Sequence, residues 1–361
     1  MRPQLFSGFD ALTPRFRELF DAAGQTCFFL GIPWFRNFAE TVCAPEEEIL
    51  ILGIESEGAP GAALGALVLK RDRSVALFKP RIVTGLANFY TTYYAPAFAS
   101  GLDPETTTRV CLAFAEALAA VRPRINLIRL DCLAREEIAF DALRAGFRKA
   151  GFVTDAFFHF GNWFEPTADT DFAAYRNTLS GQLRSTLSRR AKRMERAGGF
   201  QIDLLTGEAG LDRAITAYER IYASSWKTPE PHPRFVPGLA RVAARAGNLR
   251  MGVLSINGEP AAAQIWIVRG GLATIFKLGH DERFKEFSPG SILTARLLEH
   301  VIDIDRVREI DFGHGDDPYK KDWLRQRRER WGIVAANPRT IIGARYAAIG
   351  LAKALRGKVR S

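Results

Sequence analysis

Residues 279–300, "GHDERFKEFSPGSILTARLLEH", decide how this chain is read. The preceding "LATIFKL" and the opening Gly-His predict a strand that ends at His280. A polar loop follows, and from Ile292 the apolar residues recur at helical spacing. Ser288 is the candidate N-cap and Pro289 sits just inside the helix. Amides at a helix N-terminus are unpaired and share the positive end of the helix dipole, so they attract phosphate. Ser288, Gly290 and Ser291 are therefore candidate phosphate contacts, Gly290 because it admits close approach. Arg283 and Lys285 are candidates to neutralise the bound charge. The same spelling also suits a plain helix cap.

Downstream, residues 309–323 read "EIDFGHGDDPYKKDW". A buried-looking strand runs into a histidine, two aspartates, a tyrosine and two lysines. Alone this is a charged turn.

The 361 residues predict two domains. With 47% hydrophobic and 25% charged residues, two ordinary cores are expected. Fifty Lys and Arg against 40 Asp and Glu give a net charge of +10, which favours anionic partners. Cys27, Cys43, Cys111 and Cys132 stand alone among apolar neighbours and read as buried free thiols. They do not pair with the five histidines at ligand spacing, so no metal is expected. Residues 1–10 lack the apolar core of a signal peptide, and no run is long enough to span a bilayer. The expected place is the cytoplasm, with peripheral attachment to the inner face of the membrane as a further option.

Strand and helix signals alternate in the same order in both halves. In the first, "EEEILILGIE", "GAALGALVLKR" and "RSVALFKPRIV" read as strands, the first two joined by a turn around Pro60 and Gly61. Asp103 and Pro104 open a helix, and a strand, helix and strand follow. In the second, Asn257-Gly258 is the turn of a hairpin. A third strand, the 288–303 helix, "REIDFGHG" and "RWGIVAANP" complete the copy. The expected fold is α/β (α+β): tandem lobes, each a mixed, mostly antiparallel sheet flanked by helices. The expected divisions are a first lobe over 1–165, a linker and basic helix over 166–199, a second lobe over 200–340 and a basic amphipathic tail over 341–361.

The linker helix carries Leu179, Leu183, Leu187, Ala191 and Met194 on one stripe. Arg184, Arg189, Arg190, Lys192, Arg193 and Arg196 lie on the other. That face is either solvated or a contact for phosphate or anionic lipid. The tail, with Arg345, Lys353, Arg356, Lys358 and Arg360, suits an anionic membrane surface or a frayed helix.

The segments "LRSTLSRRAKRMERAG", "FKEFSPGSIL" and "DFGHGDDPYKKDW" resemble the GNAT acyltransferase superfamily. More narrowly they resemble its two-lobed CelD-like acetyltransferases, relatives of the Fem aminoacyl transferases. The likeness covers residues 172–338 well and the first half only in element order. It implies that tandem GNAT-like lobes make up the fold. It also implies an acyl thioester donor, with acyl-CoA as co-substrate and no permanently bound cofactor. The pyrophosphate would sit before the 288–303 helix, and the thioester would enter a gap where two strands splay apart. The family loop is Q/R-x-x-G-x-G/A. Here residues 287–292 read Phe-Ser-Pro-Gly-Ser-Ile and keep only the central glycine. Acyl carrier protein or aminoacyl-tRNA donors therefore stay open.

A primary amine attacks only after losing a proton, and an imidazole can take it near neutral pH. His314 and His280, one at each strand end, are the candidate bases, with Asp316 or Asp317 able to orient His314. By the same resemblance Tyr319 is the candidate acid for the leaving thiolate. Lys320 and Lys321 are candidate phosphate contacts. "CFFLGIPWFRNF" and "GLANFYTTYYAPAF" supply aromatics that are mostly core, yet suit an apolar or sugar acceptor. The expected reaction is N-acyl transfer to an amphiphilic amine, a long-chain (sphingoid) base as in bacterial ceramide synthase, or to an amino sugar of an envelope polysaccharide. A non-catalytic receptor for an anionic nucleotide is the third reading. Nucleic acid is not an expected partner, since neither a helix-turn-helix nor an aromatic RNA-binding motif is visible.

Overall fold

In each half of the chain a strand–helix–strand crossover makes one parallel strand pair inside an otherwise antiparallel sheet. The computed structural model describes the backbone of residues 1–57, 61–73 and 79–358, and side chains to residue 349. The expected turn at Pro60 and much of "RSVALFKPRIV" lie outside the described residues. The chain divides into two units, Met1–Phe160 with Glu329–Ser361, and Gly161–Arg328.

The first unit contains β1 (Arg2–Ser7), α1 (Pro14–Thr26), α2 (Ile32–Thr41), β2 (Glu47–Glu55), β3 (Ala63–Asp72), β4 (Ile82–Gly85), β5 (Ala97–Phe98), α3 (Pro104–Ala120), β6 (Leu127–Ala134) and α4 (Ile138–Lys149). β7 (Val153–Pro166) carries the chain from this unit into the second. There follow α5 (Phe172–Thr178), α6 (Gly181–Arg196), β8 (Phe200–Leu205), α7 (Leu211–Ala223), α8 (Phe235–Arg245), β9 (Leu249–Ile256), β10 (Glu259–Arg269), β11 (Leu272–His280), α9 (Pro289–Asp303) and β12 (Glu309–Asp311). β13 (Gln326–Ala336) returns to the first unit, and α10 (Ile341–Lys358) follows it.

In the first unit the strand order is β1-β2-β3-β4-β6-β13, with β5 on β3. β4 and β6 are its parallel pair. In the second unit the order is β7-β12-β11-β10-β9-β8, and β11 and β12 are its parallel pair. Both units are thus mixed, mostly antiparallel sheets flanked by helices, as expected from the alternation of signals. One segment differs from its expected place. Residues from Glu329 onward, assigned by position to the 200–340 lobe, pair antiparallel with β6, so the chain leaves one sheet and later re-enters it. Strand pairing over such a sequence separation leaves no local signal.

Local chemistry explains the elements around the site. Asn257 (φ 50°) and Gly258 (φ 79°) both adopt the left-handed region that a two-residue hairpin turn requires, which joins β9 to β10. α9 buries Leu293, Leu297, Leu298 and Val301 with Trp266 and Ile310 in the core of the second unit. It lies so close to β9 that a Cβ on Gly252 would come within 2.7 Å of Leu293. In the first unit, Phe28, Phe29, Trp34, Phe35, Phe38 and Tyr94 are buried. The aromatic-rich segments proposed for an acceptor are therefore mainly core. Cys111 and Cys132 are buried, whereas Cys27 and Cys43 are half-buried; all four are free thiols.

Candidate functional site

β11 and β12 pair over only three residues, from Leu272 opposite Glu309 to Thr274 opposite Asp311. β11 then continues to His280, still paired with β10 on its other edge. The register with β10 shifts where Ile265 faces Lys277 and Trp266 faces Ile275, leaving Phe276 as a bulge. Past Thr274 the edge once shared with β12 has no strand partner among the described residues. Such an edge offers alternating N–H and C=O groups to an extended guest.

α9 begins beside the end of this open edge. Ser288 occupies the cap position in a left-handed conformation (φ 52°), but its hydroxyl caps nothing, which corrects the expected side-chain cap. The N–H groups of Ser291 and Ile292 donate to the Ser288 carbonyl at 3.1 and 3.2 Å. Pro289 has no N–H, and that of Gly290 finds no acceptor among the described residues. The first turn carries no acid. Buried Gln264 on β10 pins this turn by donating to the Gly290 carbonyl (2.9 Å) and to Thr294 Oγ1 (2.7 Å). Its own carbonyl accepts from the Trp266 indole at 2.9 Å.

His280 joins the two features. A Cβ built on Gly290 would lie 3.6 Å from His280 Nδ1, so this imidazole borders the first turn of α9. The other ring nitrogen, Nε2, is 3.4 Å from Glu282 Oε1, and the Trp226 ring lies 4.5 Å away, centroid to centroid. Burial pushes the imidazole pKa below its usual value, which favours the neutral, proton-accepting form near pH 7.

The expected phosphate cations are mostly committed elsewhere. The Arg283 guanidinium bonds Asp281 (2.9 Å) and Glu259 (3.2 Å). Lys285 is exposed and 3.6 Å from Glu282. Lys320 is 2% exposed, and its Nζ donates to the carbonyls of Phe312 (2.9 Å), His314 (2.7 Å) and Gly315 (3.1 Å). It is an internal clamp on the charged turn, not a phosphate contact. Lysines alternating with aspartates spell a solvated surface, yet the 3₁₀ turn Pro318–Asp322 points this one inward.

Both Asp316 oxygens have partners from other segments. One oxygen accepts from the Trp163 indole (2.6 Å) and the other from Arg327 (2.7 and 2.9 Å). Arg327 holds the carboxyl below the usual carboxylate range, with the indole adding to the effect. Gly161 permits this pair, since a Cβ there would meet the Arg327 and Asp316 side chains at 2.5–2.6 Å. His314 is exposed on the turn. Tyr319 keeps 41% of its surface accessible. The protein packed around its phenol, and then Asp317, raise its pKa, so it stays protonated. The structure therefore brings His280 and Gly290 together and leaves His314 on the opposite strand's turn.

The loop joining α7 to α8 also belongs here, and the sequence reading passed over it. The Ser224 carbonyl accepts from the Glu282 N–H (3.2 Å), tying the loop to the end of β11. Trp226 is 55% exposed and rests on His280. Next to it, Lys227 is half-buried and senses the charges of Lys277, Asp317, Glu230 and Lys320. Lys277 on β11 bonds Glu230 at 2.5 Å. A tryptophan beside a lysine in the proline-rich "SSWKTPEPHP" was the available signal.

α6 contacts α9 and the 3₁₀ turn Glu282–Phe287. Arg193 bonds Glu286 and lies over the Phe287 ring at 5.3 Å. Arg184, Arg190, Lys192 and Arg196 have no ion pair among the described residues. Lys353, Arg356, Lys358 and Arg360 of the tail lie outside the residues whose side chains are described. No described helix is long and apolar enough to cross a membrane. Among the described residues no group of three or more His, Cys, Asp or Glu could hold a metal ion. A cavity of about 480 Å³ in the first unit, lined by Arg71, Lys79, Arg81 and Arg122 among others, contains none of the expected site residues.

Comparison with known proteins fits this geometry. Residues 181–321, all within the second unit, match the family described as "Acetyltransferase (GNAT) domain". Among solved structures the chain is similar to that titled "Crystal structure of FemX". The TM-score is 0.61 at 10% identity, covering 92% of this chain and 97% of that one. A conserved protein of unknown function from Bacteroides thetaiotaomicron VPI-5482 is similar at TM-score 0.54 and 9% identity, covering 92% of this chain and all of the other. At such identities the likeness is one of fold. No curated protein matches.

Proposed function

We propose that the second unit transfers an acyl group from a phosphate-bearing thioester, acyl-CoA before acyl carrier protein or aminoacyl-tRNA, to a primary amine. One observation carries this reading: the uncapped N-terminus of α9, with the free Gly290 N–H, opens beside His280 at the end of an unpaired strand edge. The Gly290 N–H and the positive end of α9 receive the donor's phosphates. The β11 edge receives the amide-rich arm of the donor. His280, neutral near pH 7, accepts the ammonium proton of the acceptor, and Tyr319 donates to the departing thiolate. This assigns the base to His280 rather than His314.

For the acceptor we propose the amine of a long-chain base, giving a ceramide-like lipid. The solvent-facing arginines of α6 support it, because they can hold the chain at an anionic membrane surface that supplies such an amphiphile. An amino sugar is the second reading, favoured by the exposed Trp226 ring, on which a sugar can stack.

The test incubates the protein with acyl-CoA donors of varied chain length and a panel of sphingoid bases and amino sugars, reading N-acyl products by mass spectrometry. Acylated long-chain base with release of free thiol is the expected result. Products on sugars alone would sink the lipid reading. Salt-sensitive nucleotide binding without turnover of any donor would replace the enzyme with a receptor. His280→Ala should lower kcat/KM by about 10²-fold, and His314→Ala by less than about threefold.

A further inference from the structure

The Lys227 side chain is anomalous. It is half-buried between Tyr222 and Trp226, yet its amine makes no hydrogen bond or ion pair among the described residues. The nearest acid on its own loop, Glu230, is held by Lys277. Both rings lie 5.6–5.7 Å from the Nζ, at the outer limit of a useful cation–π contact. Lys277 and Lys320 add like charge from β11 and from the charged turn. Asp317 and Glu230 offset part of this, and burial still outweighs them. An amine in such surroundings sheds its proton readily.

Position adds to this. Lys227 adjoins Trp226, which packs on His280, which borders Gly290 at the start of α9. We propose that Lys227 is a nucleophilic amine that thioesters acylate in preference to the other lysines of the chain, making it a self-modification site. The neutral amine attacks the thioester carbonyl carbon. A C–N bond forms, the C–S bond breaks, and the thiolate leaves with the ammonium proton, so thioester and lysine become amide and thiol. The product amide is too stable to pass its acyl group onward. It accumulates as a modification and removes a positive charge from the site.

Burial first and Lys277 second bring this amine down to a pKa of about 8. Roughly a tenth of it is then neutral at pH 7, against well under a thousandth of an ordinary lysine.

The preference for Lys227 stands apart from the assignment of phosphate to α9, although the biological donor rests on that assignment. Two probes separate them: S-acetyl-N-acetylcysteamine, a thioester without phosphate, and acetyl-CoA. The full chain is incubated with each at pH 7 and pH 10, digested and mapped by mass spectrometry. With the phosphate-free thioester at pH 7, Lys227 should exceed the exposed Lys192 and Lys321 in occupancy by at least tenfold. The ratio should fall at pH 10, where all lysines deprotonate. Lys227→Arg should abolish the dominant labelled peptide, and Lys227→Gln confirms it should an arginine disturb the loop. Equal labelling of the three lysines at pH 7 overturns the proposal. A Lys227 preference with acetyl-CoA no faster than the small thioester upholds it and sinks the phosphate assignment instead.

Discussion

The two crossovers of this chain have the same topology and opposite ends. In the first unit β4 and β6 pair in parallel over three residues and α3 bridges them. In the second, β11 and β12 pair over three residues with α9 between. α3 starts closed. The Asp103 carboxylate accepts from the Thr106 N–H and hydroxyl at 2.7 and 2.8 Å, and Glu105 adds a second acid. α9 starts open, with no acid, no side-chain cap and a free Gly290 N–H. A helix end already neutralised by its own carboxylate has little left for a ligand's phosphate. Of the two crossovers, that of the second unit is the one we propose to receive an anion.

The largest test gives α9 the acid that α3 has. Gly290→Asp should weaken acetyl-CoA binding by about a hundredfold, measured by calorimetry. Its melting temperature should stay level or rise slightly, because a carboxylate in the first turn favours the helix. Loss of both binding and fold would mean that the glycine is there for packing.

Next comes the clamp beside the open end. Lys320→Met strips three carbonyls of their donor and should cost about 2 kcal/mol in urea unfolding. Donor affinity of the folded fraction should change less than about twofold. A large affinity loss at unchanged stability would restore Lys320 as a phosphate contact.

Opening the closed end is a smaller perturbation. Asp103→Ala should lower the melting temperature slightly and leave donor affinity as it was. The mildest effect lies in the pH profile. The base must be neutral, so kcat/KM rises with pH through the His280 pKa. Burial lowers that pKa, so the half-rise should fall below the ordinary imidazole value of 6.5. A midpoint above 6.5 would point to another base.

Much of this was legible in the sequence, for identifiable reasons. Asn257-Gly258 and Asp103-Pro104 announce their turn and helix start because local backbone chemistry decides them. The start of α9 was found from Ser288-Pro289-Gly290, although the serine plays a different part. The inward turn of Lys320 was not legible. Nor was the capture of Asp316 by Trp163, a residue 153 positions away, because tertiary neighbours decide both. Lys227 was missed for the same reason: a lysine in a polar loop reads as solvated until its missing counter-ion is seen.

The crossings within β7 and β13 make the second unit an insertion between two strands of the first. A ribosome must therefore deliver all of Gly161–Arg328 before β13 exists to complete the sheet begun at Arg2. The domain started first is finished last. Its β6 edge waits for a partner through the synthesis of the whole second unit, and in that interval the nascent chain is most exposed to misassociation.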